Sequence, residues 1–97
     1  MTIRDKTDRL PTGAMIRAAR GLVGLETTQL AEAVGVTRKT IFAIERDQGQ
    51  ADDPRRTKTL ANIRDYLVDG HGVVFLFDEG RLGEGVRLSR PSRQQAP

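Results

Sequence analysis

A chain of 97 residues with 16 lysines and arginines against 13 acidic residues, a net charge of +3 and a pI near 10 has room for one domain with a modest core. Its charge leans mildly toward polyanionic partners. The lack of cysteine removes disulfide frameworks, thiolate metal sites and cysteine nucleophiles, and it fits a reducing cytoplasmic setting.

Residues 1–12, within "MTIRDKTDRLPTG", alternate in charge without an apolar run, so neither a secretory leader nor a membrane span is expected. The segment reads as a flexible arm ending on Thr12, a residue suited to capping a helix. From Ala14 to Val23, Ile16, Ala19 and Val23 recur at helical spacing with Arg17 and Arg20 between them, and the glycines of "GLVGL" close this first helix. Thr27 to Val34 repeats the logic with Leu30, Ala31 and Val34 on one face, stopped by Gly35. Thr37 can cap a third helix, Arg38 to Arg46, whose core positions are Ile41 and Ile44. Its remaining large side chains, Arg38, Lys39 and Phe42, then point away from the protein's own interior. "DQGQADDP" reads as a turn-rich loop, followed by a fourth helix over Thr57 to Asp69 carrying Leu60, Ile63 and Leu67.

After this helical domain over 13–69 the period changes. "VVFLF", Val73 to Phe77, and "GVRLS", in which Val86 and Leu88 alternate with Arg87 and Ser89, predict a β-hairpin over 70–89. The intervening "GRLGEG" is superficially like a phosphate loop, but it follows a strand and opens no helix, which makes it a hairpin loop. "RPSRQQAP", residues 90–97, has nothing to bury and reads as a disordered basic tail. The expected fold class is therefore mainly α: four helices and a C-terminal β-hairpin. His71, the single histidine, lies between glycines in "DGHGV", and the acidic residues are dispersed. Neither a metal centre, a triad nor acid–base hydrolysis can be built from these, so no cofactor and no enzymatic activity are expected.

The stretch "TTQLAEAVGVTRKTIFAIER", Thr27 to Arg46, meets the geometric demands of a helix-turn-helix. Ala31 is small where the two helices cross, Gly35 makes the tight turn, and Leu30, Val34, Val36, Ile41 and Ile44 fill the seam. No proline interrupts it. Over about Gly13 to Leu67 the chain resembles the phage-repressor and Cro-like regulators known as the XRE family. The resemblance implies a Cro/repressor-like domain that binds double-stranded DNA. It also implies a structural ion pair beneath the fold between Arg20 on the first helix and Glu45 near the end of the recognition helix.

A major groove about 12 Å wide admits one α-helix, and residues near that helix's N-terminus reach base edges. Arg38 and Lys39 are the candidates for guanine, and Phe42 and Ala43 for a thymine methyl group. The resemblance assigns phosphate contacts to Thr27 and Thr28, which stand at the start of helix two in place of the glutamine many relatives carry. It assigns the same role to Arg55, Arg56 and Lys58 after helix three. Thr37, Thr40 and Arg46 complete the candidate phosphate set. Each position has a plainer reading. Arg38 and Lys39 can form a merely solvated face, Phe42 can tuck against helix four, Thr37 can serve as a cap, and Arg55 and Arg56 can offset Asp52 and Asp53.

In the first strand Val73, Phe75 and Phe77 share one face and Val74 and Leu76 the other, so both faces are apolar. One face can cover the helices while the other calls for a second cover. A homodimer joined through Val73, Val74, Phe75, Leu76 and Phe77 supplies it, the alternative being that both faces pack within one subunit. Two recognition helices spaced about one DNA turn would read a palindromic operator. These readings converge on a cytoplasmic, nucleoid-associated homodimeric repressor. The rival is a protein-interaction module, antitoxin-like or anti-activator, that sequesters a partner regulator or toxin through the hairpin.

Overall fold

The order of elements follows from where helical periodicity stops and β-branched residues begin. A computed structural model describes residues 9–46 and 53–89, so the expectations for 1–8, for the loop at 47–52 and for the tail at 90–97 lie outside it. The elements are α1 (Gly13–Val23), α2 (Thr27–Val34), α3 (Arg38–Arg46) and α4 (Pro54–Asp65), a wider π-helical turn (Tyr66–Gly70), and the strands β1 (Val73–Leu76) and β2 (Gly85–Leu88). The described chain is thus mainly helical with one small antiparallel hairpin, as its patterning predicts.

Caps set the helix boundaries. The Thr12 hydroxyl accepts the Met15 N–H at 3.1 Å to start α1, and Gly24, at φ +71°, ends it with its N–H on the Arg20 carbonyl. The fourth helix begins at Pro54 rather than Thr57. Asp53 accepts the Arg55 N–H at 2.9 Å, and a proline in the first turn loses no hydrogen bond, since the first amides of a helix have no intrahelical partner. Its regular part also stops at Asp65, and the π-helical turn carries the chain on to Gly70.

One core joins the elements. Ile16 and Ala19 of α1, Leu30 and Ala31 of α2, Ile41 and Ile44 of α3, Ile63 of α4, Leu67 of the π-helical turn and Val73 of β1 are all buried in it. Met15, which lies outside the predicted apolar face of α1, is also buried at 2% exposure. The reason is that α1 packs against both α3 and β2 and so needs a wider apolar stripe.

The hairpin pairs Val73 with Leu88, Val74 with Arg87, Phe75 with Val86 and Leu76 with Gly85. Because partners across a ladder share a face, Val73, Phe75, Val86 and Leu88 turn together onto the helices, and all four pack in or against the core. This corrects the proposed interface. Val73 is 1% exposed and belongs to the subunit's own core, so it is not available to a second copy. Phe77 lies beyond the last strand residue and outside the ladder, half-buried, with the Arg9 guanidinium 4.6 Å from its ring centre. The outer face keeps Val74 half-buried and Leu76 exposed.

The end of the arm is held rather than loose. Arg9 donates to the Asp78 carbonyl at 3.2 Å and accepts from Arg64 on its own carbonyl at 3.2 Å, while Pro11 is buried. The Thr12 hydroxyl donates to the Glu84 carboxylate at 3.0 Å. Residues 9–12 thus tie the hairpin loop to the helices.

Gly13 lets the backbone of α1 come close against the end of α3. A Cβ there would fall 2.7 Å from the Glu45 carbonyl oxygen and closer still to that of Ile44. Main-chain atoms at the end of a packed helix have little room to yield. Gly13→Ala is expected to cost about 1–3 kcal/mol, read from the midpoint of urea unfolding. An unchanged midpoint would mean that α1 and α3 part readily.

Candidate nucleic-acid interface

The turn between α2 and α3 is built from three residues with distinct jobs. Gly35 takes φ +78° and places its N–H on the Ala31 carbonyl, and the Val36 N–H follows onto the same oxygen at 3.0 Å. Thr37 then opens α3, its hydroxyl oxygen accepting the Thr40 N–H at 3.1 Å. With Ile41 and Ile44 sealed in the core at 0% and 2% exposure, the direction of α3 is fixed from within.

Its other side faces solvent. Arg38, Lys39, Phe42 and Arg46 are exposed, and Ala43 and Thr40 are half-buried. Phe42, at 40% exposure, is not tucked against α4, so the core reading of this ring is excluded. Instead, the Arg38 guanidinium lies 4.9 Å from the Phe42 ring centre, one helical turn away, in a cation–π stack. Among the described residues neither Arg38 nor Lys39 has a hydrogen bond or an ion pair, so the donors of both remain available to a ligand.

The Thr37 and Thr40 hydroxyls lie 3.0 Å apart. Thr37 already accepts an amide proton as the cap, and the pair holds two hydroxyl protons, of which their mutual bond uses one. The other is left to donate to an outside acceptor.

Beneath this face Glu45, 6% exposed, takes a two-pronged grip from Arg20: Nε to Oε2 at 2.6 Å and Nη2 to Oε1 at 3.0 Å. Arg20 Nη1 donates to the Leu25 carbonyl at 3.0 Å, which leaves the guanidinium well satisfied. The bond to Glu45 raises the Arg20 pKa, aided by the carboxylate's charge and opposed by burial. A raised pKa on a base gives stability that is present below the unfolded value and lost only above the folded one. For an arginine that window lies beyond ordinary alkaline pH, so Arg20 holds its charge wherever the protein would be used. Arg17 adds a contact not foreseen from the sequence, its Nη1 lying 3.5 Å from the Glu45 carbonyl oxygen. Its spacing of three residues from Arg20, on the same helix face, was the available signal.

The remaining candidates are placed less favourably. Thr27 is half-buried and Thr28 exposed at the start of α2, where amides and the helix dipole favour an anion. Glu26, however, stands at that helix's cap with its N–H on the Gln29 side chain at 2.8 Å, and its exposed carboxylate brings negative charge to the same end. Arg55, Arg56 and Lys58 lie in the first turns of α4, a helix that packs against α2. Arg55 is 3.7 Å from Asp53, so its charge is partly offset, and with side chains 93% and 52% exposed the pair contributes little to stability.

No protein-family model matches the chain, and neither a curated protein nor a solved structure matches it. Among the described residues no helix is long and apolar enough to cross a membrane, and no group of acidic or histidine side chains is arranged to hold a metal ion.

Proposed function

We propose that the protein is a sequence-specific double-stranded DNA-binding regulator of the Cro/repressor type, which places α3 in the major groove. The observation that carries this reading is the exposed N-terminal half of α3. It presents two exposed cations that have no hydrogen bond or ion pair among the described residues, and an exposed aromatic ring, on a helix whose opposite side is buried and clamped to α1. In this role Arg38 and Lys39 donate to guanine, Phe42 and Ala43 meet thymine methyl groups, and Thr37, Thr40 and Arg46 contact phosphates. Thr27, Thr28, Arg55, Arg56 and Lys58 extend the backbone contacts around the groove.

A single module of this size binds weakly, so the regulator acts as a homodimer on an inverted repeat, as a repressor that occludes a promoter. The outer hairpin face, where Leu76 is 40% exposed and Val74 half-buried, supplies the surface for pairing. Sedimentation at micromolar concentration is expected to show a dimer, and a monomer there would remove this part of the proposal.

Salt dependence tests DNA binding itself. With about six phosphates neutralised, log K should fall with log salt at a slope of about −5, whereas a flat response would contradict the reading. The exposed Leu76 also favours one rival, a module that sequesters a partner regulator or toxin through the hairpin. If Arg38→Ala with Lys39→Ala leaves activity in cells intact while Leu76→Asp abolishes it, the rival is correct.

A further inference from the structure

We infer that Arg38 and Phe42 form one reading unit that selects a C5-methylated pyrimidine beside a guanine, so that the methyl group of thymine or of 5-methylcytosine is recognised at this step. The inference rests on the DNA-reading proposal above and goes further, by fixing which bases are neighbours and by making cytosine methylation a determinant of binding.

The Arg38 guanidinium carbon lies over the Phe42 ring, 4.9 Å from its centre, a contact that holds the side chain along the helix while its N–H groups have no hydrogen-bond partner among the described residues. A guanidinium edge of this kind matches guanine O6 and N7. Phe42 keeps 40% of its surface exposed next to this guanidinium, and bases along a strand rise by about 3.4 Å per step. A separation of 4.9 Å between the two groups is too short for pairs several steps apart, and because thymine pairs with adenine its methyl group must belong to a step next to that guanine's. What an aromatic ring can recognise in the major groove is an apolar group, and the only apolar projection there is the methyl group at C5 of thymine. 5-Methylcytosine carries its methyl at the same position, whereas uracil and cytosine lack it. The guanidinium is pre-ordered by the ring it stacks on, so less freedom is lost when it meets the base.

The test uses the full chain and a duplex enriched from random sequence. In that duplex thymine is replaced by uracil, and in parallel duplexes the same position carries cytosine or 5-methylcytosine. Loss of the methyl group from one half-site is expected to weaken binding about fourfold in both comparisons, the worth of one buried methyl group. Phe42→Ala should erase both ratios, and Arg38→Ala should retain them while abolishing the preference for the neighbouring guanine. Thermal unfolding of the two variants, both altered at exposed positions, checks that each is folded. An operator in which the methyl effect is missing, or maps to a pair not adjacent to the guanine read by Arg38, overturns the inference while leaving the regulator reading in place. Enrichment of no sequence at all would overturn that reading, and the inference with it.

Discussion

Glu45→Ala is expected to destabilise the protein by about 3–5 kcal/mol, because it strands the Arg20 guanidinium against a site built for a carboxylate. The wild-type pair is short and two-pronged, and Glu45 is 6% exposed, so water reaches the vacated position poorly. The loss is large on the scale of the whole fold. A domain of 97 residues is held by about 5–15 kcal/mol, so the variant sits near the edge of folding at room temperature. The cost comes from the unpaired charge and not from the pair's own worth, since attraction between the partners is largely offset by the desolvation of both. Removing both partners together, as Arg20→Met with Glu45→Leu, should consequently cost much less than the sum of the single changes. Urea unfolding of the two single variants and the double variant measures this. Simple additivity would show that the two side chains do not depend on each other.

The second large effect is on binding and should leave the fold untouched. Arg38→Ala combined with Lys39→Ala alters exposed positions without hydrogen bonds or ion pairs among the described residues, and Arg38 loses only a surface stack on Phe42, so stability should change by less than about 1 kcal/mol. Affinity for the preferred duplex should fall at least about a hundredfold, since each good contact from a cation to guanine is worth about 1–3 kcal/mol and a dimer loses the set twice. The salt slope should become shallower as well if either residue also neutralises a phosphate. A double variant that binds as tightly as the wild type would show that the exposed face of α3 is only a solvated surface.

These two predictions draw on parts of the molecule that were unequally legible in the sequence. The buried faces of the helices could be read from spacing, because Ile16, Ala19, Leu30, Ile41, Ile44, Ile63 and Leu67 recur at a helical period and all lie in the core. The glycine stops at Gly24 and Gly35 were legible for a backbone reason, and both adopt the left-handed conformation. The start of α4 was not, because Asp53 and Pro54 are at once loop residues by composition and a cap with its first helical residue. The burial of Met15 and the anchoring of Arg9 to Thr12 depend on the hairpin folding back over α1, a long-range event that no local pattern encodes.

The candidate site divides in the same way. That Arg38, Lys39 and Phe42 leave the core followed from Ile41 and Ile44 entering it. The stack between Arg38 and Phe42, the Glu26 carboxylate at the head of α2 and the Arg17 contact to the end of α3 are matters of side-chain placement. Spacing alone allows such contacts without requiring them.

The measurement that bears most directly on the account is a selection of the purified protein against random duplex DNA, with sequencing of what it retains. A regulator of this kind should enrich an inverted repeat whose half-site centres lie about one helical turn, roughly 34 Å, apart. A folded protein that enriches no sequence would contradict it.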